Sequence, residues 1–305
     1  MKNSKIAVLI PCYNEAITIA QVVSDFKRYL PDATIYVYDN NSLDNTYEIA
    51  SSLEGVVVGR ETEQGKGAVV RRMFRDINAD YYIMVDGDST YDASIAPKML
   101  NLAIKNQLDL VNGVRIKTAQ NAYRSGHEFG NKMLTGTVRQ IFGDRVQDML
   151  SGYKVFSKRF VKSFPIFEQG FGIETELTIH ALELDMPVGH VEGNYGGRPE
   201  GSVSKLNTYK DGIKILSLIV RLFKHERPFT LFGAIAAILF LISMLFMLPV
   251  FTEYFETGLV PKLPSLLVGV SILLSSIISF FTGVVLNTVS KGRRESKLLF
   301  YLNIR

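Results

Sequence analysis

The chain has 305 residues, 47% of them apolar, and a formal charge of +4, which is room for one large domain or two modest ones. So mild a charge gives no basis for nucleic-acid binding, and the placement of the basic residues matters more than their sum. The single cysteine, Cys12, excludes an internal disulfide and fits a reducing compartment, and the four histidines (His127, His180, His190, His225) form no HExxH or CxxC-type cluster, which argues against zinc.

The N-terminal run MKNSKIAVLIPCYNE reads as one strand, too short for the apolar region of a signal peptide, so the first domain is expected in the cytoplasm. Runs at 6–10, 34–38, 56–58, 81–85 and 108–111 are rich in β-branched and aromatic residues, and helical spacing of apolar positions fills 16–30 and 45–53. This alternation predicts an α/β fold, a mostly parallel, Rossmann-like sheet covered by helices. Ligands of such sheets bind beyond the carboxyl ends of the strands, and the polar clusters of this sequence follow strand ends.

The character changes near residue 207. Over 207–227, Lys210, Lys214, Arg221 and Lys224 share one helical face, with Ile215, Ile219, Leu222 and Phe223 opposite. The pattern predicts a basic amphipathic helix at an anionic membrane surface. Residues 229–251 and 263–286 carry no charge, and each is long enough to cross a hydrocarbon core of about 30 Å. Arg221, Lys224 and Arg227 flank the first span, Lys291, Arg293, Arg294 and Lys297 follow the second, and the loop between holds Glu253, Glu256 and Lys262. Positive flanks on the inner side put both ends and the large domain in the cytoplasm. Ser271, Ser275, Ser279 and Gly283 recur every four residues on the second span and would admit a close helix, either the first span at Gly233 and Ala237 or a neighbouring subunit.

The segments that carry chemistry are short. Asp86-Gly87-Asp88 ends an apolar strand, and two carboxylates so spaced can face Mg²⁺ or Mn²⁺ together with diphosphate oxygens; the same residues also suit an ordinary turn. Asp92 is a further outer acid or a helix cap. Pro11-Cys12-Tyr13-Asn14-Glu15 ends the first strand, Asp39-Asn40-Asn41-Ser42-Leu43-Asp44-Asn45-Thr46 the second, and Gln64-Gly65-Lys66-Gly67 follows the third. A carboxylate after a strand, such as Asp39, is placed to accept from a ribose or base.

In this order and spacing the motifs resemble the nucleotide-sugar half of the inverting glycosyltransferase family 2, with its GT-A fold. The resemblance extends through DMLSGYKVF at 148–156 and RPEGSVSK at 198–205, which are similar to the branch of dolichol-phosphate mannose synthases and bacterial polyprenyl-phosphate glycosyltransferases. It implies that Pro11, Glu15, Asp39, Lys66 and Asp86 bind the nucleotide-sugar and that Asp86 and Asp88 hold the metal. It further implies that Arg115 and Arg124 receive the acceptor phosphate, and that Asp148, Arg198 and Lys205 serve catalysis. Thr90 stands where the dolichol-phosphate enzymes carry a glutamine, and Asn40 stands in the second position of an acidic pair. Glu174 and Glu176 are weaker alternatives for the role of Asp148. The implied reaction moves a sugar, from a UDP-hexose or UDP-N-acetylhexosamine, to a polyprenyl phosphate of the undecaprenyl type in the bacterial inner membrane.

The expected organisation is a catalytic domain at 1–206, an amphipathic helix at 207–228, spans at 229–251 and 263–287 joined by an external loop at 252–262, and a basic tail at 288–305. A homo-oligomer through the second span is a further expectation. Processive polysaccharide synthases share the N-terminal motifs but carry QxxRW, and this chain has no tryptophan. A family member using another acceptor and a silent membrane scaffold that binds a nucleotide-sugar remain the competing readings.

Overall fold

The computed structural model describes residues 4–117, 133, 135–136, 138–140, 142–164, 172–197, 199, 217, 220–221 and 224–304. The chain divides into two compact units, Met1–Ile215 with Lys297–Arg305, and Leu216–Ser296. Of the residues singled out above, Arg124, His127, Arg198, Lys205, Lys210, Lys214, Ile215, Ile219, Leu222 and Phe223 lie outside the described residues.

The first unit runs β1 (Ile6–Cys12), α1 (Ile19–Tyr29), β2 (Thr34–Asp39), α2 (Thr46–Ser52), β3 (Val56–Arg60), α3 (Lys66–Asp76) and β4 (Tyr81–Met84). A 3-10 turn (Ala93–Ile95), α4 (Ala96–Lys105), β5 (Leu110–Lys117), β6 (Lys154–Ser157), α5 (Lys158–Ser163), α6 (Ile173–Glu183) and β7 (Val188–Tyr195) follow. The strands form one sheet in the order β3-β2-β1-β4-β6-β5-β7. β1 lies parallel to β2 and β4, β2 to β3, and β5 to β7, whereas β6 is antiparallel to both its neighbours. The sheet is therefore mostly parallel with one reversed strand.

Burial on both faces explains the unbroken apolar runs. Leu9, Tyr82, Met84 and Phe156 pack into one cluster with Val70, Met73 and Phe74 of α3 and Phe160 of α5. Their strand neighbours Val8, Ile10, Ile83 and Val155 enter the opposite cluster with α1 and α4. α1 buries Ile19, Val22, Val23 and Phe26, the one-face spacing of an amphipathic helix, and ends on Lys27 and Arg28, where the helix dipole favours cations. β5 extends well past the expected 108–111. Asn112 and Arg115 are ladder residues opposite His190 and Gly193 of β7.

Register decides where the loops emerge. Cys12 pairs with Asp39, and Asp39 with Arg60, so β1, β2 and β3 end together, and Leu9 pairs with Met84 at the end of β4. The segments 13–18, 40–45, 61–65 and 85–92 thus leave one edge of the sheet.

The second unit contains α7 (Pro228–Thr257) and most of α8 (Leu263–Leu302), both long and apolar enough to cross a membrane. α7 continues through Glu253 and Glu256, which were expected in a loop. The serine stripe divides. Ser279 donates to Phe232 O (3.0 Å), and Gly283 lets Phe232 come close, so those two positions face α7. Ser276 and Ser243 join them, donating to Ala236 O (2.7 Å) and Gly269 O (2.8 Å). Ser271 and Ser275 instead donate to carbonyls of their own helix and are exposed.

The segment expected as a basic tail is helical to Leu302. Its last turns belong to the first unit: the Tyr301 hydroxyl donates to buried Asp109 (2.6 Å), Lys297 pairs with Glu183 (2.7 Å), and Leu298 packs on the core.

Candidate active site

Three loops at the common edge are tied by side chains placed for that purpose. Asn14 and Asn41 take left-handed backbone conformations, with φ of 53° and 57°, which asparagine tolerates better than most residues. Asn14 N donates to Ser42 Oγ (2.9 Å), Leu43 N donates to Asn14 Oδ1 (2.7 Å), and Glu15 N donates to Thr46 Oγ1 (2.8 Å). The PCYNE segment is thereby fixed against the loop after β2. Pro11, with no N–H to give, sits beyond the last residue of β1 that β4 pairs.

Asp39 is buried. Its Oδ2 accepts from Ser42 N (3.3 Å) and lies 3.8 Å from Arg60 Nε, while Oδ1 has no hydrogen-bond partner among the described residues. Asn40 explains the missing second acid. Its Nδ2 donates to Glu61 O (3.1 Å) and Glu63 O (2.7 Å), and its Oδ1 accepts from Gly65 N (2.7 Å). A carboxylate could make the last of these bonds but neither of the first two.

Gly65, at φ 135°, turns the chain into α3 so that Lys66 opens the helix. The Lys66 ammonium forms ion pairs with Asp86 and Glu174. Burial opposes its charge, but the two carboxylates outweigh burial and raise its pKa above the usual lysine range. Glu174, in the first turn of α6, is buried against this lysine, whereas Glu176 is partly exposed. Asp88 is buried and accepts from Thr90 N (3.2 Å) and Thr90 Oγ1 (2.6 Å). Thr90, in the place of the family glutamine, therefore spends its hydroxyl holding Asp88. Gly152 backs directly onto Asp86: a Cβ there would stand 2.8 Å from Asp86 Cγ.

Asp148 begins the turn that ends at Gly152. It has a left-handed φ of 47°, and its carbonyl accepts from Ser151 N (3.1 Å). Its carboxylate takes Arg115 Nε (2.7 Å), Nη2 (2.6 Å) and backbone N (3.1 Å), a two-pronged, charge-assisted pair. Burial pushes the Asp148 pKa up, but the Arg115 hydrogen bonds and charge more than reverse this and hold it below the usual carboxylate range. A carboxylate so held is a poor base.

The structure thus brings Pro11, Glu15, Asp39, Lys66, Asp86, Asp88, Arg115 and Asp148 to one end of the sheet, and Arg124, Arg198 and Lys205 lie outside the described residues. Sequence reading missed an aromatic wall beside them. The Tyr91 hydroxyl accepts from Gly152 N (2.7 Å), Tyr91 packs edge-on against Tyr153 and Tyr195, and Arg115 lies 5.3 Å from the Tyr195 ring centroid. Position was the available signal: Tyr91 follows DGDST directly and Tyr195 ends β7.

Comparison with known proteins agrees with this edge. The family model for glycosyl transferase family 2 matches residues 7–164. The glycosyltransferase AglJ of Haloferax volcanii is 34% identical over 232 residues, covering 75% of this chain and 76% of AglJ. A dolichyl-phosphate hexose transferase of the same organism is 26% identical over 222 residues, 73% of this chain and 95% of the relative. Glucosyl-3-phosphoglycerate synthase of Mycobacterium tuberculosis, crystallised with Mn²⁺, uridine-diphosphate-glucose and phosphoglyceric acid, superposes with a TM-score of 0.56 at 22% identity, over 72% of this chain and 79% of that one. The solved structure shares the fold, and the matched residues span the strands and loops that build this edge: the chain is a glycosyltransferase and belongs to glycosyl transferase family 2.

Proposed function

We propose that the chain transfers a hexose or N-acetylhexosamine from its UDP derivative to a polyprenyl phosphate of the undecaprenyl type, with inversion and with a divalent cation. The observation that carries this reading is the turn from Asp148 to Gly152. One end holds Asp148 on Arg115, and the other end lies against Asp86. Five residues thus join an acceptor-side ion pair to a donor-side carboxylate. The dolichyl-phosphate relative supports a lipid-phosphate acceptor, and the solved structure supports a UDP-sugar with a cation.

The residues present fit such an ion. Asp86 and Asp88 offer hard oxygens, and Gly152, having no side chain, lets the Asp86 carboxylate lie against its backbone, where a Cβ would stand 2.8 Å from Asp86 Cγ. Among the described residues no group of three or more His, Cys, Asp or Glu side chains forms a metal cage. Two protein ligands would leave the other positions to diphosphate oxygens and water, as suits Mg²⁺ or Mn²⁺. The cation's chemistry is neutralisation of charge on the departing diphosphate.

The chain's own groups do the rest. Asp39 Oδ1, buried and lacking a partner among the described residues, is placed to accept from the nucleoside, with Pro11 and Glu15 shaping that side. Lys66 sets Asp86 and adds positive charge near the diphosphate. Arg115, with Arg124, Arg198 and Lys205, would meet phosphate charge on the acceptor and the leaving group. A phosphate monoester has a second pKa of about 6, so at neutral pH the nucleophile is already ionised and needs no strong base. That matches an Asp148 held in its charged form as an orienting group.

In the same reading α7 and α8 cross the inner membrane of a bacterium, with the catalytic unit in the cytoplasm, and a second copy packs along Ser271 and Ser275. The test is nucleoside-diphosphate release by purified protein, UDP from UDP-glucose or UDP-N-acetylglucosamine and GDP from GDP-mannose, each with Mn²⁺ or Mg²⁺. Polyprenyl phosphate should stimulate release from a UDP-sugar. Stimulation by 3-phosphoglycerate instead would favour a soluble acceptor, and no release from any donor would favour a silent scaffold.

A further inference from the structure

Lys154 opens β6 beside the site, is fully buried, and has no part in the reaction as described above. It pairs with Met84 on β4 and with Asn112 on β5. Its ammonium donates to Asn112 Oδ1 (2.6 Å), Thr178 Oγ1 (3.3 Å) and, at the limit, Met149 O (3.5 Å). These partners are all neutral. A buried charge held only by neutral acceptors costs stability that an apolar side chain of similar length would not. A second role for the charge would offset that cost.

The hydrogen bonds indicate one. Asn112 Oδ1 is taken by Lys154, which fixes the amide so that Nδ2 points the other way, to Gln147 O (2.6 Å) and Asp148 O (3.0 Å). On the preceding peptide, Gln147 N donates to His190 Nε2 (3.1 Å) from β7. Asp148 must hold a left-handed backbone, at φ 47°, to keep its carboxylate on Arg115. Such a conformation persists only where its surroundings enforce it. We propose that Lys154 is a positioning residue: acting through Asn112, it locks the Gln147–Asp148 peptide and so keeps Asp148 on Arg115.

This rests on the acceptor-side role of Asp148 given above. Without the ammonium, the Asn112 amide loses the partner that sets its orientation, and the turn can relax toward ordinary backbone angles.

The charge itself is poised to change. Burial lowers the Lys154 pKa from 10.5 to about 8. Asp148 and Glu174 favour the charged form, while Arg115 and Lys66 oppose it. His190, facing from β7, is itself pushed below its usual pKa by burial and by Lys154, which keeps Nε2 able to accept from Gln147. The strut is therefore complete at pH 7 and weakens as pH rises through about 8.

The test uses the full chain in lipid–detergent micelles. Hydrogen exchange of the peptide covering 145–153, corrected for intrinsic rates, is followed by mass spectrometry in wild type, Lys154→Met and Asn112→Ala. Both variants should exchange at least tenfold faster in that peptide, with the β1 and β2 peptides unchanged. In wild type the same peptide should lose protection as pH passes 8, a reading that needs no variant to fold. In parallel, kcat for hexosyl transfer to polyprenyl phosphate should fall at least tenfold in Lys154→Met, with donor KM within twofold. Unchanged exchange of this peptide in Lys154→Met, pH-independent protection in wild type, or acceleration spread over the whole first unit would each overturn the proposal. Local acceleration with unchanged kcat would support the strut and overturn instead the acceptor-side role of Asp148.

Discussion

Gly152→Ala adds one methyl group at a point where the backbone has no need of glycine, since φ at Gly152 is not positive. The new Cβ would stand 2.8 Å from Asp86 Cγ and 2.9 Å from Oδ1, with Oδ2 closer still. Ordinary contact needs more than about 3.4 Å, so the carboxylate must swing away by the better part of an ångström and leave its ion pair with Lys66. Displacement of a reacting group by about 1 Å can cost on the order of a hundredfold in rate, equivalent to about 2.7 kcal/mol in the barrier. The assay is steady-state UDP release from UDP-glucose with Mn²⁺ and polyprenyl phosphate, beside a thermal melt. kcat should fall by about two orders of magnitude while the melting temperature moves by only a few degrees. A variant within threefold of wild type in kcat would refute the argument that Asp86 must lie against Gly152.

Asn40→Asp should loosen the loop after β3, because Glu61 O and Glu63 O lose their donors. Two hydrogen bonds at about 1 kcal/mol each, with added repulsion, predict a loss of roughly 2–3 kcal/mol in denaturant unfolding; an increase in stability would contradict this. Asp39→Asn should weaken UDP binding, read by calorimetric titration, by about tenfold to a hundredfold through loss of a charged acceptor, and an unchanged Kd would remove Asp39 from the nucleoside site. His180 is buried, with its pKa pushed from 6.5 down to about 3 by burial and by Lys297. Its folded state disfavours the proton, so its contribution to stability is full above pH 6.5 and declines as pH falls toward 3. His180→Phe should flatten that part of the stability–pH curve, and an unchanged acid slope would count against the assignment.

Much of this site could be read from the sequence, because its residues sit at strand ends. The runs before Cys12, Asp39 and Asp86 marked β1, β2 and β4, and parallel pairing then brought those ends to one edge. Other features depended on contacts between distant segments. Asn40 read as a weakened acid pair, yet it is an amide that ties down Glu61, Glu63 and Gly65. Nothing in the sequence marks Asn112 and Lys154 as partners, and only antiparallel pairing of β5 with β6 makes them neighbours. Glu174 was one of two acids on a short helix, and the turn of α6 determines that it, rather than Glu176, meets Lys66. The serine stripe was half right, since Ser279 and Gly283 do meet α7, whereas Ser276, outside the stripe, makes the buried bond to it.

The most direct measurement is the mass of the lipid product. Wild-type protein, Asp86→Asn and Asp88→Asn are incubated with undecaprenyl phosphate and UDP-glucose or UDP-N-acetylglucosamine, with Mn²⁺ or with excess EDTA, and the organic phase is weighed by mass spectrometry. The account predicts undecaprenyl phosphate heavier by one hexose or one N-acetylhexosamine, from wild type with Mn²⁺ only, and at most traces from either variant. An unmodified lipid in every arm while UDP is released, or equal product in EDTA, would contradict it.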